Sequence, residues 1–419
     1  MSIIFIDKIA IKIYNKIINF FKGTDILKRK RIIIYVITVI ISALYLFFGH
    51  TYTANGIKVF STDLGMMSCR AKITKITKTE EINNNITEET GIKAEPDKRI
   101  YFESTALSRE NKGEKIKGVQ LIDGYMSGIS KPVNKGDTVY LYYSNEGDFS
   151  GSWIFADYDR LGKLIWLAFI FFAALILFGR MQGFNTIVSL SLTCAGVVWV
   201  FIPAVITCKN VYFWAVTTCV FTIVMTLIIV YGINKKSIAA ALGCFSGLFT
   251  AGFITVIMDR IMKLSGYLSE DHYYLTRLGI NIRAVIFGAI IIGAVGAIMD
   301  ISISISSALF EVREKAESIT PSDIIKSGFN IGRDILGTMS NTLILAYIGS
   351  SLSVILVLII YSASPLELLN RERVIVELLQ SLVGIIAILA TIPLTSVICG
   401  LFYGGKNESM YLLLHGSDD

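Results

Sequence analysis

Eight long apolar segments constrain this chain more than any other feature of its sequence. They cover residues 32–48, 163–179, 184–206, 211–232, 237–263, 283–310, 336–361 and 373–402. A helix of about 20 apolar residues crosses the roughly 30 Å hydrocarbon core of a bilayer. Because the chain is also 53% hydrophobic and only 17% charged, a soluble protein of this size is excluded. The sequence predicts an α-helical polytopic membrane protein with about eight transmembrane helices.

The charges beside the apolar segments predict the orientation in the membrane. Residues 1–31 carry eight Lys and Arg side chains interleaved with Ile and Phe, which is typical of a basic arm on the cytoplasmic leaflet. Residues 32–49 lack a small-x-small cleavage site, so we interpret them as transmembrane helix 1, an uncleaved signal anchor. Arg180 and the lysine pair at 235–236 then fall in cytoplasmic loops, although the charges between 263 and 283 count mildly against this orientation. Both termini, including the tail at 405–419, are predicted to be cytoplasmic.

Residues 50–160 differ in composition from the rest of the chain. Short alternating runs at 71–78, 99–105 and 137–144 are separated by turn residues, which predicts strands. We expect a small, mainly-β extracytoplasmic domain between helices 1 and 2, followed by a seven-helix membrane domain at 161–404. The β domain has 15 Lys and Arg against 16 Asp and Glu, so the counts predict no large field of one sign. A folded spacer or assembly domain is favoured over a dedicated ligand-binding domain.

Several classes of chemistry lack their usual sequence signals. The six cysteines and three histidines are dispersed, without a CxxC or Cys/His metal spacing. The chain has no P-loop, no GxSxG and no HExxH. The net charge of +6 is concentrated in the basic arm and beside apolar segments, where topology explains it better than nucleic acid does. We therefore expect no enzymatic activity, metal, cofactor or nucleic-acid partner; the expected partners are the lipid bilayer and either a second copy or a partner membrane protein.

A narrow polar stripe lies on the sixth apolar segment, with Asp300 at its centre. At about 100° per residue its members fall within an arc of roughly 80°. They are Gly293, Gly296, Asp300, Ser304, Ser307 and Glu311. The other faces are aliphatic, with Ser302 and Ser306 as exceptions. Because a carboxylate at a helix centre in hydrocarbon costs roughly 2.5–3.5 kcal/mol even on lenient scales, we interpret this stripe as the inward face of its helix.

The seventh apolar segment carries a second polar group. Arg333 and Asp334 are predicted to open that helix after a loop at 312–332, where Arg333 could pair with Glu311. Asn341 lies about 12 Å further in and Asp300 about 16 Å from Glu311, so we expect Asn341 to be the nearest partner of Asp300. The candidate ion or substrate pathway consists of Asp300, Ser304, Ser307, Glu311, Arg333, Asp334 and Asn341. Helix packing is expected at Gly243, Gly247, Gly293, Gly296 and Gly337.

Three runs of the sequence together resemble a known family. They are YGINKKSIAAALGCFSGL at 231–248, GAVGAIMDISISISSALFE at 293–311 and RDILGTMSNTLILAYIGSSL at 333–352. They are similar to the YibE/F family of bacterial multi-pass membrane proteins over about residues 160–404, and more loosely over the β-rich segment with its KGDTV turn at 135–139. The resemblance implies a bacterial plasma membrane location and supplies no established activity. The basic arm at 1–31 lies outside it.

Two functional hypotheses follow from these features. The first is a membrane transporter or permease in which Asp300 binds a cation or exchanges a proton on a polar pathway. The alternative is a non-catalytic scaffold or assembly protein that acts through its extracytoplasmic β domain. An intramembrane hydrolase is disfavoured, because a deep carboxylate to pair with Asp300 is lacking.

Overall fold

The computed structural model describes residues 26–54, 68–82, 96–107, 112–124, 130–144, 149–266, 270–316 and 319–403. Most of the predicted basic arm and the predicted tail at 405–419 lie outside these residues. The chain divides into two compact units, each described by itself below. One unit is Phe60–Leu175, and the other combines Met1–Val59 with Ile176–Asp419.

The smaller unit contains a closed five-stranded barrel, which is followed by the first residues of a long helix. Its strands are β1 (Ser68–Ile82), β2 (Asp97–Ala106), β3 (Lys115–Ile122), β4 (Thr138–Ser144) and β5 (Ser152–Tyr158). They are ordered β1-β2-β3-β5-β4, with a parallel β3–β5 pair and antiparallel pairs elsewhere, which is the topology of an OB-fold. The predicted mainly-β domain between the first two apolar helices is confirmed. The predicted runs lie in β1, β2 and β4, whereas β3 and β5 were missed because neither has a clean alternation of apolar and polar residues.

Alternating residues of the strands fill the barrel interior. Ala71, Ile73, Phe102, Val139 and Leu141 are each at most 1% exposed, and their neighbours along each strand point outward. At Gly118 in β3 a Cβ atom would lie 2.7 Å from the Phe102 ring, so this position needs glycine. The barrel therefore has a hydrophobic core of its own.

The larger unit is helical. The helices of the chain are α1 (Ile26–Thr53), α2 (Leu161–Gly196), α3 (Ile202–Ile206), α4 (Val211–Tyr231), α5 (Lys235–Met262), α6 (Glu270–Arg277), α7 (Ile282–Lys315), α8 (Pro321–Ile360), α9 (Pro365–Asn370) and α10 (Glu372–Tyr403). A π-helical turn, Val197–Phe201, joins α2 to α3. Among the described residues, seven helical runs are long and apolar enough to cross a membrane. The chain is thus a membrane-embedded helical protein with a small β-barrel domain.

Two predicted segments, 163–179 and 184–206, fall within one helical run. Residues Leu161–Ile206 form a run of 46 residues, which at about 1.5 Å per residue is more than twice the roughly 30 Å of bilayer hydrocarbon. Arg180 interrupts it, with φ 48° and ψ −124°. This break lies where the sequence predicts a cytoplasmic turn. The count of eight crossings stays a prediction.

Helix α8 begins earlier than the sequence analysis predicted. Pro321 occupies its first turn, and Thr320 and Asp323 form a capping box in which each side chain accepts from the other residue's backbone N–H. The predicted loop at 312–332 is therefore mostly helix, belonging to the end of α7 and the start of α8. The prediction that Arg333 and Asp334 open this helix was wrong, because they lie about three turns inside it.

Helices α5, α7 and α10 each pack extensively on the other two, α8 packs along α10 to a similar extent, and α4 packs on α7. Three of these helices begin with an asparagine cap. Asn210, Asn234 and Asn281 each accept a hydrogen bond from the backbone N–H three residues later, at the start of α4, α5 and α7. Most of the outer surface of the unit is apolar, as expected for helices in contact with lipid.

Candidate functional site

The polar stripe of α7 lies on the outside of the helical unit. Its exposed members are Gly293, Gly296, Asp300, Ser304 and Glu311, and we call them the Asp300 face; Ser307 beside them is half-buried. The prediction that this stripe is the inward face was wrong for the single chain. The reason is that the aliphatic side of α7 offers more apolar area to bury against α4, α5 and α10.

The buried side of α7 carries the two serines that the sequence analysis treated as exceptions. Ser302 is fully buried, and its Oγ lies 2.9 Å from Thr395 Oγ1 of α10. Ser306, also fully buried, donates to the backbone oxygen of Lys236 at 2.9 Å and lies 2.8 Å from the Tyr403 hydroxyl. These hydroxyls have polar partners inside the contact between α5, α7 and α10. They hold the helices together without reaching water.

Two glycines of α5 allow this close contact. A Cβ atom on Gly243 would lie 2.1 Å from Thr395 Oγ1 and 2.4 Å from Ser302 Oγ. A Cβ atom on Gly247 would lie 2.1 Å from Thr391 Oγ1. Larger residues at either position would force the helices apart.

The other three glycines predicted for packing have different surroundings. A Cβ atom on Gly293 would lie 2.8 Å from the Tyr347 hydroxyl of α8, whereas Gly296 and Gly337 have nothing within 4 Å. Within the described residues, Gly296 and Gly337 are therefore not packing positions. Both lie on open faces of their helices.

Asp300 has neighbours from two other helices. Tyr231, the last residue of α4, and Cys244 of α5 lie within electrostatic range of its carboxylate. Asp300 makes no hydrogen bond or ion pair with any residue in the described ranges. Its carboxylate is therefore available to a proton, a cation or a second protein.

A small cavity lies between α4, α5 and α7 near the end of the Asp300 face. Its lining consists of Leu227, Tyr231, Lys236, Ser237, Ala240, Ile303 and Ser307. The Lys236 ammonium stacks over the Phe310 ring at 4.5 Å, which holds this cation at the cavity. The cavity thus joins Ser307 of the predicted pathway to the hydroxyl of Tyr231 and the cation of Lys236.

The predicted residues of α8 are exposed and do not contact the stripe through a hydrogen bond. Arg333, Asp334 and Asn341 are all exposed. The described side chains include neither an ion pair between Glu311 and Arg333 nor a hydrogen bond between Asp300 and Asn341. Gly293 of α7 lies beside the Tyr347 hydroxyl of α8. From this contact Asn341 is about 9 Å along α8 and Asp300 about 10 Å along α7, in the same direction, so the two residues lie at similar depths.

Sequence reasoning missed four residues of this region. Tyr231 and Lys236 line the cavity, and Thr395 and Tyr403 bind the buried serines of α7. The run YGINKKS at 231–237, which contributes to the family resemblance, was the available signal for the first two. Thr395 and Tyr403 lie in an apolar run, which contains no sequence signal that distinguishes them.

The arrangement consists of an exposed carboxylate followed by hydroxyls along the same side of α7. In the described part of the chain, no three His, Cys, Asp or Glu side chains come together as metal ligands. Asp300, the hydroxyls of Ser304 and Ser307, and the carboxylate of Glu311 follow one another along one side of α7. Such a row can pass a proton or a hydrated cation along the helix.

A family model described as YibE/F-like protein matches residues 167–405, which is more than half of the chain and includes every helix of the polar region. No curated protein and no solved structure matches the chain.

Proposed function

The chain belongs to the YibE/F-like family, and we propose that it is a membrane transporter or permease whose pathway runs along the Asp300 face of α7. Asp300 is the ion or proton site of this pathway, with Ser304, Ser307 and Glu311 along the route. The substrate class is a small cation or a proton, because the charged group near the middle of α7 is a single carboxylate without a described cationic partner.

One observation carries this proposal. Asp300 lies near the middle of an apolar helix and is exposed on the surface of the single chain. Because a carboxylate in the hydrocarbon region faces water or protein rather than lipid, something other than lipid covers this face. We assign that cover to a hydrated groove, with a second copy or a partner membrane protein supplying its other wall.

The Lys236 cavity supports the same proposal. Residues from the runs 231–248 and 293–311 of the family resemblance meet there, beside Asp300. The Lys236 ammonium is a counter-charge beside the end of the acidic row, and such a charge favours the ionised form of nearby carboxylates. The proposed location is the bacterial plasma membrane, with both termini in the cytoplasm and the barrel outside.

Flux through reconstituted liposomes tests this function. Asp300→Asn keeps the size of the side chain and removes its charge, so proton or monovalent cation flux is expected to fall by at least about tenfold, as expected for loss of a group essential to proton transfer. Flux is measured with a pH-sensitive or cation-sensitive dye inside the vesicles.

Asp259→Asn is the matched control, since Asp259 lies near the other end of α5, away from the Asp300 face. The control is expected to keep wild-type flux. Equal flux for the wild type and Asp300→Asn would remove Asp300 from any pathway.

A second candidate function is a non-catalytic scaffold or assembly protein. The observation that favours it is the barrel, a compact unit with its own hydrophobic core, because such a unit can bind a partner without moving the helices. This function predicts that a chain without the barrel no longer retains its partner in a pull-down. Unchanged retention would count against it.

A further inference from the structure

Four lysines share the outer surface of the barrel. Lys72 and Lys75 belong to β1, and Lys115 and Lys117 belong to β3, and all four are exposed. The residues between them along the strands point into the barrel, including Ile73 and Ile116. Folding thus places positive charges together on one side of the barrel, although the domain has nearly equal numbers of basic and acidic residues.

The strand register arranges these lysines in two rows. Lys72 pairs with Thr105 of β2, and Thr105 pairs with Lys115. Lys75 pairs with Glu103, and Glu103 pairs with Lys117. Neighbouring strands lie about 4.8 Å apart, so the Cα atoms of the two lysines in each row are roughly 10 Å apart, on either side of β2. We call these four residues the lysine face.

The lysine face has an excess of positive charge. Its four lysines make no ion pair with any carboxylate in the described ranges, although Glu103 lies between two of them. By contrast, Lys78 further along β1 is paired with Glu80. A surface with four cations around one carboxylate attracts a partner with several negative charges.

The lysine face begins beside the connection to α2. Lys72 pairs with Thr138, and the backbone oxygen of Thr138 accepts from the N–H of Asp159. Asp159, which also pairs with Arg70, is followed by Arg160 and then by the first residue of α2. Since β1, β3 and β5 run in the same direction and β5 leads into α2, Lys75 lies further toward the α2 end of the barrel than Lys72 does. Lys117 is level with Ser152, the first residue of β5, so the lysine face extends from the α2 end along the side of the barrel.

We propose that the lysine face binds the phosphate groups of anionic phospholipids in the bilayer that α2 enters. The connection of two residues between β5 and α2 keeps the barrel at the bilayer surface, so lipid phosphates are the nearest polyanionic partner. A lysine near an anionic bilayer is attracted within about one Debye length, roughly 8–10 Å. Binding orients the barrel on the membrane and makes that orientation depend on lipid charge.

Lysine acylation of the full-length protein in nanodiscs tests this proposal. Nanodiscs of phosphatidylcholine alone are compared with nanodiscs that also contain phosphatidylglycerol, and the reaction at each lysine is measured by mass spectrometry. The reactivity of the lysine face is expected to fall by about fivefold with phosphatidylglycerol, the factor expected for a lysine at an anionic surface, and to recover in high salt.

Two native lysines serve as internal controls. Lys163, in the first turn of α2, is expected to respond to lipid charge in any case, and Lys112, exposed in the turn that precedes β3, is expected not to respond. In the variant Lys115→Gln/Lys117→Gln the response of Lys72 should decrease, whereas the matched variant Lys131→Gln/Lys135→Gln should keep it.

Three results would overturn the proposal. One is equal reactivity of the lysine face in the two kinds of nanodisc, and another is an equal fall at Lys112. The third is protection by soluble poly(glycerol phosphate) on phosphatidylcholine nanodiscs without protection by phosphatidylglycerol, which would identify a phosphate polymer as the partner instead.

Discussion

Single serines of α7 have different roles on the two sides of the helix. Ser302 and Ser304 are two positions apart, which at about 100° per residue places them on opposite sides of the helix. Ser302 is buried against Thr395, and Ser304 lies on the Asp300 face. The same residue type therefore stabilises the helix contact at one position and lines the proposed pathway at the other.

Replacing each serine by alanine tests this assignment. Ser302→Ala leaves the buried Thr395 hydroxyl without its partner, so the free energy of unfolding in detergent is expected to decrease by about 1 kcal/mol. Ser304→Ala removes an exposed hydroxyl and should change it by less than about 0.5 kcal/mol. Larger destabilisation by Ser304→Ala than by Ser302→Ala would contradict the assignment of the buried side of α7.

At the scale of elements, the capping box of α8 fixes where that helix begins. Thr320→Ala removes the side chain that accepts from the Asp323 N–H, which is expected to cost about 1 kcal/mol and to increase hydrogen exchange in the first turns of α8. Thr338→Ala is the matched control, because its hydroxyl only bonds a carbonyl of the preceding turn. If Thr320→Ala leaves exchange at 321–326 unchanged, the helix does not depend on this cap.

The break at Arg180 makes a prediction about topology. If the run Leu161–Ile206 crosses the membrane twice, Arg180→Cys should react with an impermeant thiol reagent only from the cytoplasmic side. Native Cys208, exposed after α3, should react only from the opposite side. Labelling of both cysteines from the same side would contradict the count of eight crossings.

The first residues of helices could be predicted where the helix begins together with its apolar segment. The starts of α4, α5, α7 and α10 all lie within two residues of the predicted segments. The start of α8 was missed because its first 15 residues are polar enough to resemble a loop, and Thr320-Pro321-Ser322-Asp323 was the local signal that marked it. Helix boundaries outside the hydrocarbon depend on such caps and are invisible to a hydropathy window.

For the whole molecule, the sequence predicts those features that depend on composition and local pattern. It does not predict those that depend on which elements contact one another. The membrane class, the β domain and the family follow from apolar length, strand alternation and three short runs. The orientation of α7 does not follow, because a rule that polar residues face inward ignores how much aliphatic area the other side buries. The lysine face was equally hidden, since only the strand register brings lysines of β1 and β3 together.

The proposed pathway requires that the Asp300 face contacts water rather than lipid. Thiol labelling in native membranes tests it directly, in a chain whose exposed Cys194 and Cys208 are replaced by serine. Asp300→Cys is compared with Ile301→Cys, which is fully buried, and with Phe249→Cys, which is 74% exposed on an apolar side of α5. We expect a small water-soluble thiosulfonate to react with Asp300→Cys and with neither control. Failure to label Asp300→Cys, with the protein present at its normal level, would contradict a hydrated pathway on this face.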